Sequence, residues 1–244
     1  MKELVLIGIG TGDPDHITRA GIAALRGLDG VLLPEKGQGK DDLAELRRAL
    51  LRELAPDVPV YSFAMPVRDP ALSYRDAVAE WHDKIAAIWD RSAPPEAATL
   101  GLLVWGDPSL YDSTLRIAAR LSPVPEVRVI PGITALQALT AAFAMPLNEI
   151  NAPVLITTGR QLREHGWPEG TDRVAVMLDG DCSFQSIDPE GVTIWWGAYL
   201  GLPGQVLRSG PLARVGAEIL DLRARARAAH GWIMDTYILS RERK

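Results

Sequence analysis

Three short loops carry the residues whose types and spacing could do chemistry. The first, Gly8-x-Gly10-x-Gly12-Asp13-Pro14, follows directly on the apolar run Leu4–Ile9. Glycines there permit a tight turn and let a ligand approach the backbone closely. A dinucleotide is the first ligand to weigh, with Glu35 near the end of a second strand as the ribose acid. The spacing opposes it, because G-x-G-x-x-G wants its third glycine at position 13, where this chain has Asp13. A carboxylate there repels a pyrophosphate at a helix N-terminus, and Pro14 removes a backbone donor. A purely structural strand-to-helix turn stands open beside the ligand reading.

The second loop is Trp105-Gly106-Asp107-Pro108-Ser109-Leu110-Tyr111, again where an apolar run ends. Its plainest role is a turn in which Asp107 satisfies backbone donors. The third is Pro131-Gly132-Ile133-Thr134-Ala135, where Thr134 could simply cap a helix. Ligands of open α/β sheets sit beyond the carboxyl ends of the strands. Three Gly/Pro loops at such ends therefore argue jointly for a binding site.

The elements that must position these loops follow from periodicity. Leu4–Ile9 and Thr99–Trp105 read as short buried strands, and Val31–Leu33, Val58–Phe63 and Val127–Ile130 as further strands. Between them, helices are predicted after Thr18, over the Leu43, Leu46, Leu50 and Leu54 stretch, over Asp76–Trp89 and around Ser113–Leu121. A further helix carries Leu136, Leu139 and Phe143. Strands alternating with helices predict an N-terminal α/β domain with a mainly parallel sheet. A break is expected within Pro146–Pro153, giving domains 1–148 and 149–244. Beyond it, Val154–Thr158, Val174–Leu178, Val192–Trp196 and Trp232–Leu239 read as strands of a mixed sheet, with a helix over Leu212–Arg227.

At 244 residues the chain is long enough for one large or two modest cores, at about 150 residues per domain. Its 26 basic and 31 acidic residues give a net charge of −5, without the basic field of a nucleic-acid binder. The run Arg223, Arg225 and Arg227 reads as a solvated helix face. One cysteine, Cys182, cannot form an internal disulfide, and the four histidines show no ligand spacing, so no metal site is expected. Leu4–Ile9 is too short for a signal-peptide core, and Ile133–Leu147 falls short of a membrane span. A cytoplasmic protein is the expectation.

The segments GIGTGDPDHIT, GDPSLY and IPGITALQAL, in that order, resemble the tetrapyrrole (corrin/porphyrin) methylase family. KGQGKDDL, YRDAVAEWH, MLDGDCSF, WWGAYLG and HGWIMDTYIL extend the resemblance from residue 4 to residue 239 and point to one branch of it. The resemblance implies two α/β domains with S-adenosyl-L-methionine in the cleft between them, in a homodimer. It implies cofactor contacts at Thr11, Trp105, Gly106, Asp107, Leu110, Thr134 and Ala135, and from the second domain at Met177, Leu178 and Ala198. The reaction it implies is methylation of carbon 1 of precorrin-5 with loss of the extruded acetyl group as acetate, giving precorrin-6A and S-adenosyl-L-homocysteine. That cofactor carries a sulfonium and no phosphate, in keeping with Asp13.

Loss of the acetyl group calls for a base. Some relatives place an aspartate at the end of the second strand; this chain has Pro34 there, with Glu35 beside it. Glu35, Asp13 and Tyr111 are the catalytic candidates, with His16 on the same loop. Lys36, Lys40, Arg75 and Arg160 are candidate donors to substrate carboxylates. Three rivals stay open: a methyltransferase acting at another ring carbon, a nicotinamide-dependent oxidoreductase, and a tetrapyrrole carrier without turnover.

Overall fold

A computed structural model of the chain describes residues 1–35 and 42–241. The chain divides into two compact units, Met1–Thr134 and Ala135–Lys244. This division falls ahead of the expected 148/149 boundary, because α5 (Ala135–Ala142) packs on strands of the second sheet.

The first unit is built on a five-stranded sheet of β1 (Glu3–Gly8), β2 (Gly30–Glu35), β3 (Val60–Ala64), β4 (Thr99–Val104) and β5 (Glu126–Ile130). Their order is β3-β2-β4-β1-β5, and every pairing is parallel, as the apolar runs of β1 and β4 predict. Side chains alternate across it. Leu4, Leu6, Leu32, Leu100, Leu102 and Val104 pack with Ile85 and Trp89 of α3 (Tyr74–Ser92) and Ile117 of α4 (Thr114–Ala118). Val5, Ile7, Val31, Leu33 and Leu103 face the other way, onto Leu25 of α1 (Arg19–Arg26) and Leu50 and Leu51 of α2 (Asp42–Leu54). Each fully buried aliphatic side chain contributes about 1.5–3 kcal/mol, so these layers fix where the strand ends lie. The Thr18 hydroxyl accepts from Gly21 N at the start of the helix expected after it, and Ser73, not singled out in the sequence, does the same for Asp76 N at α3.

The second unit carries β6 (Leu155–Thr158), β7 (Arg173–Met177), β8 (Val192–Ala198), β9 (Val206–Pro211) and β10 (Asp235–Arg241) in the order β6-β7-β10-β8-β9. Only β6 and β7 pair in parallel; the other pairings are antiparallel, so the sheet is mixed as expected. One face buries Val174, Val176, Ile194, Trp196, Tyr237 and Leu239 against Leu212, Val215 and Ile219 of α7 (Leu212–His230). Two elements went unforeseen, β9 and α6 (Gly159–His165).

The basic run on α7 is corrected by this packing. Arg225 is exposed and pairs with Asp221, but Arg223 is buried, with its Nε 2.9 Å from Asp235 Oδ2. Asp235 also accepts from Trp196 Nε1 at 2.9 Å, so a buried acid, absent from the local pattern, draws the guanidinium inward.

Candidate functional site

The three loops of the first unit meet at the carboxyl ends of β1 and β4 and just beyond β5. Gly10 and Gly106 exchange backbone hydrogen bonds, Gly106 N to Gly10 O at 2.7 Å and Gly10 N to Gly106 O at 3.3 Å. Gly132 lies against Gly106 and Gly8, since a Cβ added there would sit 2.2 Å from Gly106 O and 2.8 Å from Gly8 Cα. Gly106 itself adopts φ +65°, a left-handed conformation that favours glycine.

Asp107 ties the second loop to the third. Its Oδ2 accepts from Gly132 N at 2.9 Å, and its Oδ1 accepts from Ser109 N at 2.8 Å and from the Ser109 hydroxyl at 2.5 Å. Burial disfavours its charged form, but the hydrogen bonds from the Ser109 hydroxyl, the Gly132 amide and the Ser109 amide outweigh it and hold the carboxyl below its ordinary range. Asp107 thus does satisfy backbone donors, and two loops depend on it. Leu110 closes the same turn, with its amide 3.2 Å from the Asp107 carbonyl.

The first loop holds its polar groups tightly. Asp13 caps a short 3-10 turn, Pro14–His16, by accepting from Asp15 N at 2.9 Å. Thr11 is buried, and its Oγ1 lies 2.9 Å from Nδ1 of the half-buried His16, a hydrogen bond whose donor is set by the imidazole tautomer. Glu35, at the end of β2, is ion-paired with Arg48 of α2. Tyr111 takes φ +51° and is 41% exposed, with burial pushing its phenol above the usual value.

Sequence reasoning missed Arg47 on α2. Its Nε donates to the Leu103 carbonyl at 3.1 Å, and its guanidinium lies 4.9 Å from the centroid of the Trp105 ring. Burial pulls Arg47 down to about 10, with Asp112 acting in the opposite direction. Among the described residues Trp105 Nε1, a buried donor, has no acceptor. A lone basic residue on the apolar side of a helix was the only signal available.

In the second unit, the segment after β7 is braced from below. Leu178 takes φ +52° and is 67% exposed. The next residue, Asp179, is buried and accepts from Tyr237 Oη at 2.6 Å, Ser183 N at 2.5 Å, Ser183 Oγ at 2.8 Å and Asp181 N at 3.1 Å. Arg223 Nη2 donates to the Asp179 carbonyl at 3.2 Å. Gly159 lies so close that a Cβ there would be 2.2 Å from the Asp179 carboxyl. Ala198 is buried at the end of β8, and the neighbouring Tyr199 takes φ +50° with its hydroxyl 2.5 Å from the Trp232 carbonyl.

These groups fit a ligand without phosphate better than a dinucleotide. The position where a pyrophosphate would meet the first loop is held by the Asp13 carboxylate, which already takes a backbone amide. Glu35 is likewise engaged with Arg48 and not presented as a free ribose acid. Among the described residues Trp105 Nε1, beside Gly106, is a buried donor without an acceptor. Thr134 and Ala135 flank the third loop, and Met177 ends β7 beside Leu178. Arg75 and Arg160 are exposed, while Lys36 and Lys40 lie outside the described residues. Among the described residues no cluster of His, Cys, Asp and Glu could hold a metal ion.

Comparison with known proteins decides the family. The model of the tetrapyrrole (corrin/porphyrin) methylases matches residues 3–216. The chain belongs to the tetrapyrrole methylase family. Within it, this methylase is 45% identical to the precorrin-6A synthase (deacetylating) of Sinorhizobium sp, over 98% of this chain and 95% of that protein. The crystal structure of a cobalamin synthesis related protein (CobF) from Corynebacterium diphtheriae matches it with TM-score 0.84 at 38% identity, covering 99% of both chains. Uroporphyrin-III C-methyl transferase from Thermus thermophilus, in complex with S-adenosyl homocysteine, shares the fold, with TM-score 0.61 at 19% identity over 98% of the methylase and 92% of that chain.

Proposed function

We propose that this methylase uses S-adenosyl-L-methionine to methylate carbon 1 of precorrin-5 and releases the extruded acetyl group as acetate, giving precorrin-6A in cobalamin biosynthesis. The near full-length identity of 45% to a protein named for that reaction carries the reading. No helix among the described residues is long and apolar enough to cross a membrane. Action in the cytoplasm, as a homodimer, completes the proposal and rests on the family resemblance.

The cofactor, when bound, supplies an electrophilic methyl group on a sulfonium. This chain's own residues supply the seat. Asp107 fixes the Trp105–Leu110 turn to the Gly132 loop, so that Gly106, Leu110, Thr134 and Ala135 are presented together. Arg47 braces the Trp105 ring from its other side and leaves Nε1 as a donor. Thr11 belongs to the same constellation through the Gly10–Gly106 bridge next to it. In the second unit, Met177, Leu178 and Ala198 are the contacts that the family resemblance implies, and Asp179 with its partners holds the segment after β7 in one conformation. Such preorganisation is what an alignment-limited displacement requires, since the methyl and the ring carbon need geometry more than a protein nucleophile.

Calorimetry on stripped protein against S-adenosylhomocysteine and against NADP tests the cofactor class. Tight binding of the first alone supports the reading, and binding of NADP alone overturns it. Incubation with precorrin-5 and cofactor then tests the reaction. Acetate and S-adenosylhomocysteine in equal amounts are expected, a product methylated at another carbon would reassign the ring position, and pigment binding without either product would indicate a carrier.

A further inference from the structure

The loss of acetate needs a group that takes a proton from water, and the first loop contains one placed for that purpose. We propose that His16 is the general base of the deacetylation, oriented by its hydrogen bond to Thr11 in the tautomer with Nδ1–H donating; the assignment rests on the functional reading above.

The other proton carriers of these loops are already committed. The Asp13 carboxylate caps the Pro14–His16 turn, and the Glu35 carboxylate is ion-paired with Arg48. Tyr111 holds its proton more firmly than a free phenol because it is partly buried. His16 differs. Its Nδ1 is 2.9 Å from the buried Thr11 Oγ1, and no hydrogen bond to Nε2 occurs among the described residues. With Nδ1–H donating to Thr11, Nε2 carries the lone pair, the form a base must have. The backbone holds the ring in place as well. His16 N donates to the Asp13 carbonyl at 3.0 Å, and the His16 Cβ fills the space over Gly10, where an added Cβ would lie 2.5 Å from it. Gly10 is in turn bonded to Gly106, so the imidazole is fixed to the loops that form the cofactor seat.

The step balances with water as the co-reactant. Water oxygen bonds to the acetyl carbonyl carbon, the carbonyl π pair moves onto oxygen, and one water proton passes to His16 Nε2. Collapse of the adduct restores the carbonyl and breaks the bond from the acyl carbon to the macrocycle. The pair of that bond stays on the macrocycle and makes it the electron-rich partner that methylation requires. Acetic acid leaves and ionises to acetate, and His16 returns its proton to solvent.

His16→Asn tests this, because asparagine can keep a hydrogen bond to Thr11 but cannot take the proton. Acetate release from precorrin-5 by this variant is expected to fall about 100-fold or more, with S-adenosylhomocysteine affinity by calorimetry within about threefold of wild type. Free imidazole should restore part of the acetate release of His16→Ala. Thr11→Val should lower kcat for acetate release about tenfold with KM little changed, and Thr11→Ser should recover it, as expected for a group that orients the base. Acetate release by His16→Asn close to wild type overturns the assignment. So does a parallel loss of S-adenosylhomocysteine binding, which would make His16 a loop-packing residue only. If wild-type protein releases no acetate from precorrin-5, the functional reading and this assignment fall together.

Discussion

Asp107 and Gly132 lie on different loops, 25 residues apart in sequence, and are joined by a 2.9 Å hydrogen bond from the glycine amide to the carboxylate. The bond makes the second and third loops one structural piece. Asp107→Ala leaves the Gly132 amide and the Ser109 amide without their acceptor, at a cost of about 1–3 kcal/mol for an unsatisfied group. Thermal melts should show that loss, and calorimetry should show S-adenosylhomocysteine affinity weakened by at least about tenfold. Wild-type affinity in this variant would separate Asp107 from the site.

The same carboxylate carries a pH signature. Its folded value lies below the ordinary 3.8, so its stabilising effect is complete above about pH 4 and fades as pH falls through the lower folded value. Asp107→Asn cannot ionise. The melting-temperature gap between wild type and Asp107→Asn should therefore be widest near neutrality and narrow steadily below about pH 4. A gap independent of pH would contradict the role given to the hydrogen bonds.

Glycine positions separate close approach from backbone conformation. Gly132→Ala forces a methyl within 2.2 Å of a backbone oxygen that cannot retreat, and Gly159→Ala forces one equally close to the Asp179 carboxyl. Both should destabilise by about 1–3 kcal/mol in urea titrations, as overpacking does. Gly170 has φ +77° but nothing within 4 Å, so Gly170→Ala should cost only about 1–2 kcal/mol of backbone strain and leave cofactor binding unchanged.

Arg223 and Asp235 are buried together, with side-chain exposures of 11% and 8%. Asp235→Ala strands the guanidinium and removes the acceptor of Trp196 Nε1, so a loss of about 3–5 kcal/mol in urea unfolding is expected. A loss below about 1 kcal/mol would mean that the pair is solvated in solution.

Cys182 is buried, with its thiol pushed up to about 11 chiefly by that burial. In the native protein it should react with thiol reagents at pH 8 far more slowly than in urea, since the thiolate is the reactive form. Equal rates would show that the segment after β7 opens freely.

Much of this was legible because local pattern sufficed. Buried parallel strands announce themselves as unbroken apolar runs, and Thr18 stands where capping physics wants a hydroxyl. Where tertiary contact supplies the stability, the sequence stays silent. β9 reads Val-Leu-Arg-Ser-Gly-Pro, without apolar alternation, and is held by its backbone register with β8 from Thr193↔Pro211 to Ala198↔Val206. α6 is seven residues long with Leu162 as its one large apolar residue, so no periodicity could reveal it. Likewise the loops of the site could be found from their glycines and prolines, but not the partners that hold them. Arg47 against Trp105, Thr11 with His16 and Asp179 beneath Leu178 depend on how the chain folds back on itself.

The meeting of Gly8, Gly106 and Gly132 has a consequence for how such a protein can change. A Cβ on Gly8 or Gly132 would press into backbone atoms, and Gly106 holds a left-handed φ of +65°, so the centre of the first unit's loops offers nothing that substitution could retune. Any shift in which macrocycle is accepted, or which of its atoms reacts, must be written in residues around that hub. Tyr111, 41% exposed on the second loop, is of that kind, and randomising it would explore selectivity without dismantling the hub.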